Sequence, residues 1–264
     1  MISSVRLILY QGNDFLIDAV SGSEYDYFTW IAWQMCPFNE DVAVFRFYCP
    51  DWLANPPVWQ AMLQPDEIQR AQRYRRQEDR FRSLYARSLL RVLLGKYLNQ
   101  PALAVHLTRG MNNKPKLVDD SGWYFNTAHS GNWIVLAIGK TEIGVDVEAI
   151  KADFPFEDVL PFSFNAQERL TIEQAEQGRL RFYELWIRKE ALVKATGQGI
   201  GPDFTDIASR LGAVWETTYR MDAGDAWTVG GFTVDKGYPG AVAYKPLAAT
   251  PRFYTLDSGL LAPQ

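Results

Sequence analysis

The chain has 264 residues, 47% of them hydrophobic and 22% charged, with a formal net charge of -4 at pH 7. This is ordinary globular composition, and the acidic balance argues against a protein that grips nucleic acid through its overall field. Cys36 and Cys49 fit no zinc or disulfide spacing, no apolar run reaches the ~20 residues of a membrane helix, and Asp14 and Asp18 interrupt the opening stretch, so a reduced cytoplasmic protein without a signal peptide is expected.

Residues 1–40 mix aromatics and acids without a clean period and are read as an N-terminal extension. From Asp41 the pattern sharpens: DVAVFRFYC alternates as a strand. Pro56-Pro57 and Pro65 mark turns, and PDEIQRAQRYRR opens a helix with Pro65, Asp66 and Glu67 in its first turn. FRSLYARSLLRVLLGKYL continues as a long helix, with Leu84, Tyr85, Leu89, Val92, Leu93 and Tyr97 forming one stripe, and Pro101 follows its end. VHLTRGMNNKPKLVDDSGW reads as loop with strand fragments. FNTAHSGNWIVLAIGK reads as a turn plus a strand, and TEIGVDVEAI as another strand, the two forming a hairpin around Gly139-Lys140. FSFNAQERL leads into the helix RFYELWIRKEALVKATG, stopped by Gly197, and three antiparallel strands follow in VWETTYRM, AWTVGGFTVDK and GAVAYKPL. Each half thus runs strand, turn with an acid at a helix start, then a longer helix, and the domain boundaries fall at 1–40, 41–140 and 141–264.

Within GVDVE, Val145 and Val147 point one way from an extended chain and Asp146 and Glu148 the other. Either that second face is wet, or the two acids hold something positive, such as Mg2+ or Mn2+. In WIRKEALVK, Glu190 and Lys194 share a helix face with Trp186 one turn earlier, which is either a surface ion pair or a covered one. His129 lies beside Ser130, Gly131 and Asn132, a setting that suits an anion, whereas His106, between Val105 and Leu107, is assigned to structure. Lys114 and Lys116 flank a proline turn, alone a solvated loop. QRYRRQEDRFR, residues 72–82, is locally basic, either the polar face of a helix entry or a landing strip for phosphate or an acidic partner. GQGIG follows a helix instead of preceding one, so it is a helix stop and not a phosphate cradle.

Taken together, NKP at Asn113–Pro115, FNTAHS at Phe125–Ser130, GVDVE at Gly144–Glu148 and WIRKEALVK at Trp186–Lys194 resemble, in order, the elements of the Sfp-type 4'-phosphopantetheinyl transferases, with FSFNAQERL and its Glu168 also similar. The likeness runs from about Val42 to about Tyr244, and Asn113 stands where that family commonly has glycine. The resemblance implies an α+β fold of two similar α/β halves about a pseudo-twofold axis, with the ligand cleft between them. It implies Mg2+-dependent transfer of phosphopantetheine from coenzyme A to a serine of an apo carrier protein, of acyl, peptidyl or polyketide type, releasing adenosine 3',5'-bisphosphate. It implies Asp146, Glu148 and Glu190 as metal ligands; Glu190, Lys194 and Asp146 as the catalytic set; and Arg82, Lys114, Pro115, His129, Ser130, Lys189 and Lys194 as coenzyme A contacts. A cytoplasmic monomer touching neither nucleic acid nor membrane is expected. Two other classes fit single motifs: another Mg2+-dependent phosphotransfer enzyme, which would need a phosphate loop before a helix, and a non-enzymatic protein binding through the basic 72–82 stretch.

Overall fold

The structure, a computed structural model, describes residues 28–49, 62–199, 202–205, 207, 216–220, 226–246 and 250–261. The Pro56-Pro57 turn, the end of GQGIG and most of the N-terminal extension lie outside the described residues. In chain order the elements are β1 (Trp30–Ala32), β2 (Val42–Tyr48), α1 (Pro65–Ala71), α2 (Gln77–Leu98), β3 (Leu107–Arg109), β4 (Pro115–Leu117), β5 (Tyr124–Ser130), β6 (Trp133–Gly139) and β7 (Ile143–Val147). Then come α3 (Leu160–Ser163), α4 (Ala166–Glu173), α5 (Gly178–Thr196), β8 (Glu216–Arg220), β9 (Ala226–Asp235), β10 (Tyr238–Tyr244) and β11 (Arg252–Leu256).

Two sheets stack face to face. The first has the order β1-β11-β2-β6-β5 and the second β7-β10-β9-β8; β3 and β4 form a separate hairpin. Strand alternation builds three core layers from this stack. Val42, Val44, Val135 and Ala137 of the first sheet meet Val145, Val147, Val242 and Phe232 of the second. On the outer face of the first sheet, Phe45, Phe47, Leu136 and Ile138 pack against Leu89, Leu90, Leu93 and Leu94 of α2. On the outer face of the second, Val229, Ala241 and Ala243 pack against Ile187, Ala191, Leu192 and Ala195 of α5. Both faces of β6 are therefore buried, which is why its sequence is an unbroken apolar run. Each half is a sheet with a long helix outside it, the α+β arrangement of two similar halves.

The helix ends have local causes. Asn165 caps α4 by accepting from Glu168 N while Glu168 accepts from Asn165 N, a reciprocal capping box. Asn99, at φ 51°, and Gly197, at φ 73°, end α2 and α5 in the left-handed conformation that asparagine and glycine tolerate best.

Two expectations are corrected. FNTAHS is not a turn: it is most of β5, paired antiparallel to β6 from Tyr124 opposite Gly139 to Ser130 opposite Trp133. Its polar residues obscure the alternation, and they are polar because they serve the neighbouring sheet; Asn126 Oδ1, for example, accepts from Val145 N at 3.0 Å. The hairpin accordingly turns at Gly131-Asn132 and not at Gly139-Lys140. Strand β7 does not pair with β6, because β2 and β5 already occupy both edges of β6; it crosses to the second sheet and pairs with β10. Neither β1 nor β11 is evident in the sequence pattern. They pair parallel to each other, and β11 pairs parallel to β2, which brings a late strand into the first sheet.

Candidate active site

The site forms where β7 lies against α5. Gly144 permits that approach: a Cβ there would stand 2.1 Å from Ala191 O and 2.3 Å from Ala195 N. Two residues along β7 on the same face, Asp146 is 4% exposed and receives Lys194 Nζ at 2.6 Å through Oδ1. Its face is thus covered, and a cation does stand against it. The other oxygen, Oδ2, is buried without a hydrogen-bond partner among the described residues.

Glu148 follows the last residue of β7, where Ser130 Oγ donates to its Oε2 at 2.8 Å. Glu190 stands one turn before Lys194 on α5, where the Asp146 and Glu148 charges both reach it. Burial pushes Asp146 up against the opposing pull of Lys194. Burial and the Asp146 charge push Glu148 up, and Glu190 is pushed up to about 7 by burial and then by Asp146. Excess negative charge with one orphaned oxygen and an all-oxygen donor set suits a hard divalent cation. The described residues do not form a closed cage, since no three His, Cys, Asp or Glu side chains among them are gathered closely enough to hold a metal.

His129 stands on β5, exposed at its edge. Partial loss of solvent around its ring, then the charges of Arg82 and Lys194, lower its pKa, with Asp79 pulling the other way. Arg82 reaches Asp79 at 3.2 Å on α2. Ser130 is 9% exposed and turned to Glu148 and to Ala149 N, which it accepts at 2.9 Å.

Lys114 donates to Ile143 O at 3.1 Å and Ala195 O at 2.7 Å, tying the start of β7 to the end of α5. Burial pushes its pKa down to about 8. The neighbouring Asn112 donates to Gly197 O at 2.8 Å and Gln198 O at 2.7 Å. Asn112 and Asn113 sit at φ 49° and 62°, so an asparagine can stand where glycine is common. Sequence reasoning missed Asn112; the signal was the asparagine pair, tolerant of left-handed backbone.

Lys189 lies elsewhere. It is fully buried, 2.7 Å from Glu168, and donates to Ser163 O at 2.8 Å. It binds α5 to the α3–α4 segment and does not join the carboxylate group. Trp186 stacks on Phe182 and packs edge-on against Phe204, anchoring the same helix.

A cavity of about 530 Å³ lies between α1, α2 and the β3–β4 hairpin. Pro115 lines it with Arg70, Arg87 and Arg109, and none of the three carboxylates does. At its base Glu67 pairs with Arg91 at 2.7 Å and Arg87 at 3.4 Å. Arg87 was not singled out in the sequence, because its partner Glu67 lies on a different helix, α1.

A sheet–helix junction thus sets Asp146 against Lys194, with Glu148 and Glu190 within reach of the Asp146 charge. Residues 51–141 match the family model "4'-phosphopantetheinyl transferase, N-terminal", and residues 142–243 match that of the 4'-phosphopantetheinyl transferase superfamily. The 4'-phosphopantetheinyl transferase psf-1 of Bacillus pumilus is 31% identical over 182 residues, 68% of this chain and 78% of its own. HetI of Nostoc sp., named a 4'-phosphopantetheinyl transferase, is 30% identical over 200 residues, 74% of this chain and 83% of its own. Sfp of Bacillus subtilis is more distant, at 25% over 194 residues, 73% of this chain and 85% of its own. The chain belongs to the 4'-phosphopantetheinyl transferase family, enzymes that use coenzyme A to place phosphopantetheine on carrier proteins.

Proposed function

We propose that this enzyme moves 4'-phosphopantetheine from coenzyme A to a serine hydroxyl of apo acyl, peptidyl or polyketide carrier proteins, releasing adenosine 3',5'-bisphosphate, and that it works with Mg2+ as a cytoplasmic monomer. The observation that carries the metal is the buried Asp146 Oδ2, without a hydrogen-bond partner among the described residues, on a carboxylate whose charge reaches both Glu148 and Glu190. Asp146, Glu148 and Glu190 would hold Mg2+ or Mn2+. When bound, the ion supplies neutralisation of charge on the pyrophosphate.

The chain's own residues divide the remaining work. The carrier serine oxygen forms a bond to the phosphorus next to pantetheine, and the bond from that phosphorus to the nucleotide's phosphate oxygen breaks. The serine proton passes to Glu190 or to a water that Glu190 orients. Lys194, already directed at Asp146, meets the charge that grows on the departing phosphate. His129 and Arg82, whose charges meet, read the 3'-phosphate of coenzyme A. Lys114, by its bonds to Ile143 O and Ala195 O, holds the two catalytic elements together more directly than it holds ligand.

The exposed Arg73, Arg75 and Arg76 between α1 and α2 are a landing surface for an acidic helix of the carrier. Thermal melts test the reading. Coenzyme A with Mg2+ should raise the melting temperature and ATP should not; equal stabilisation by ATP would point to a different phosphotransfer enzyme.

A further inference from the structure

We propose that Ser130 is a positioning residue for Glu148, acting across the junction of the two sheets, and that it does not contact coenzyme A. This rests on the reading that Asp146, Glu148 and Glu190 serve a divalent cation. Ser130 closes β5 in the first sheet, and Glu148 comes directly after β7 in the second. A serine hydroxyl has one proton to donate and lone pairs to accept with. Here the proton goes to Glu148 Oε2 at 2.8 Å, and a lone pair takes the Ala149 amide at 2.9 Å. A phosphate oxygen needs a donor, and the only proton Ser130 owns is already spent on a carboxylate.

The geometry shows why Glu148 needs such a partner. Its own amide is fixed by Pro239 O at 3.2 Å, beyond the last ladder pair of β7, and Ser130 fixes the next amide. Ser130 therefore grips the backbone just after Glu148 and the carboxylate itself, leaving the long side chain little freedom between the two grips. The neighbouring Gly131 keeps the β5–β6 turn under Tyr238 of β10: a Cβ on Gly131 would stand 2.5 Å from the Tyr238 hydroxyl oxygen. The turn that carries Ser130 is thus seated against the second sheet, and the hydroxyl spans the junction at a fixed place. Outer partners of metal-binding carboxylates commonly change metal affinity 10- to 100-fold when removed.

The test is a double-mutant cycle on the full chain with Ser130→Ala, Glu148→Gln and the double variant, with Ser130→Thr as the variant that restores a hydroxyl. Mn2+ affinity is read by its electron paramagnetic resonance signal, coenzyme A affinity by calorimetry in metal-free buffer, and kcat and KM by carrier turnover. The proposal expects Ser130→Ala to weaken Mn2+ about ten-fold and to lower kcat, to leave metal-free coenzyme A affinity unchanged, and to add nothing once Glu148 is Gln. Ser130→Thr should recover most of the Mn2+ affinity. Loss of metal-free coenzyme A affinity in Ser130→Ala would overturn the proposal in favour of a ligand contact. Equal losses with Glu148 and with Gln at that position would overturn it in favour of simple packing. If the parent protein binds Mn2+ no better than Asp146→Ala, the metal reading itself fails, and coupling between positions 130 and 148 in kcat alone then decides the proposal.

Discussion

Gly144→Ala is the sharpest structural test of how the site is assembled. The added methyl would lie 2.1 Å from Ala191 O, where ordinary contact begins at 3.4 Å, so β7 and α5 must part by about 1.3 Å. Backbone atoms on both sides leave no flexible side chain to yield. Overpacking of this kind costs ~1–3 kcal/mol of stability. The functional cost should be larger in kind, because the same displacement separates Asp146 on β7 from Glu190 and Lys194 on α5, now joined by a 2.6 Å ion pair. A misplacement near 1 Å in a reacting constellation lowers rate by about 100-fold. Carrier turnover, paired with a thermal melt and a circular dichroism spectrum, separates the two effects: the variant should remain folded, melt several degrees lower and lose about two orders of magnitude in kcat. Turnover within a few-fold of the parent would refute the claim that this glycine sets the site.

Other expectations follow from the same contacts. Asp146→Ala and Glu190→Gln should stay folded with almost no transfer, a loss of several kcal/mol at the transition state, checked by single-turnover kinetics. His129→Ala should weaken coenzyme A by about ten- to a hundred-fold while costing dephospho-coenzyme A little, since a hydrogen bond to a charged group contributes ~1.5–3 kcal/mol; calorimetry showing equal losses for both ligands would make His129 structural. The KM for an acidic carrier should rise with salt more steeply than the KM for coenzyme A, as steering by exposed arginines fades with screening. Burial lowers Lys114 to about 8, against 10.5 in a free lysine, so between those values the unfolded chain holds a proton that the folded chain has lost. This group's contribution to stability must therefore increase as pH rises from about 8 toward 10.5, and melts of Lys114→Met across that window should lack the increase.

The sequence carried some features plainly and hid others for definable reasons. The two long helices show as apolar stripes around Leu89 and Leu93 and around WIRKEALVK, because each buries one face on a sheet. The capping box at Asn165 and Glu168 and the stop at Gly197 are local chemistry, legible without tertiary knowledge. Strand β5 was hidden because Asn126 and Ser130 are polar for the sake of partners in the other sheet, so the alternation breaks where function and packing intersect. Strand β11 was hidden because its pairing with β2 spans almost the whole chain. In the candidate site, spacing put Asp146 and Glu148 on one side of an extended segment and Glu190 and Lys194 on one helix face, and the fold brings Lys194 to Asp146. Lys189 does not join them: only the fold shows that it turns to Glu168, although it stands next to Glu190 in sequence.

Mass spectrometry of an apo carrier protein tests the central claim most directly. Incubated with this enzyme, coenzyme A and Mg2+, the carrier should gain the mass of one phosphopantetheine group on its serine, with adenosine 3',5'-bisphosphate appearing in equal amount, and Asp146→Ala should leave it unmodified. Acyl, peptidyl and polyketide carriers that all remain unmodified by the folded, coenzyme A-binding parent would contradict the account.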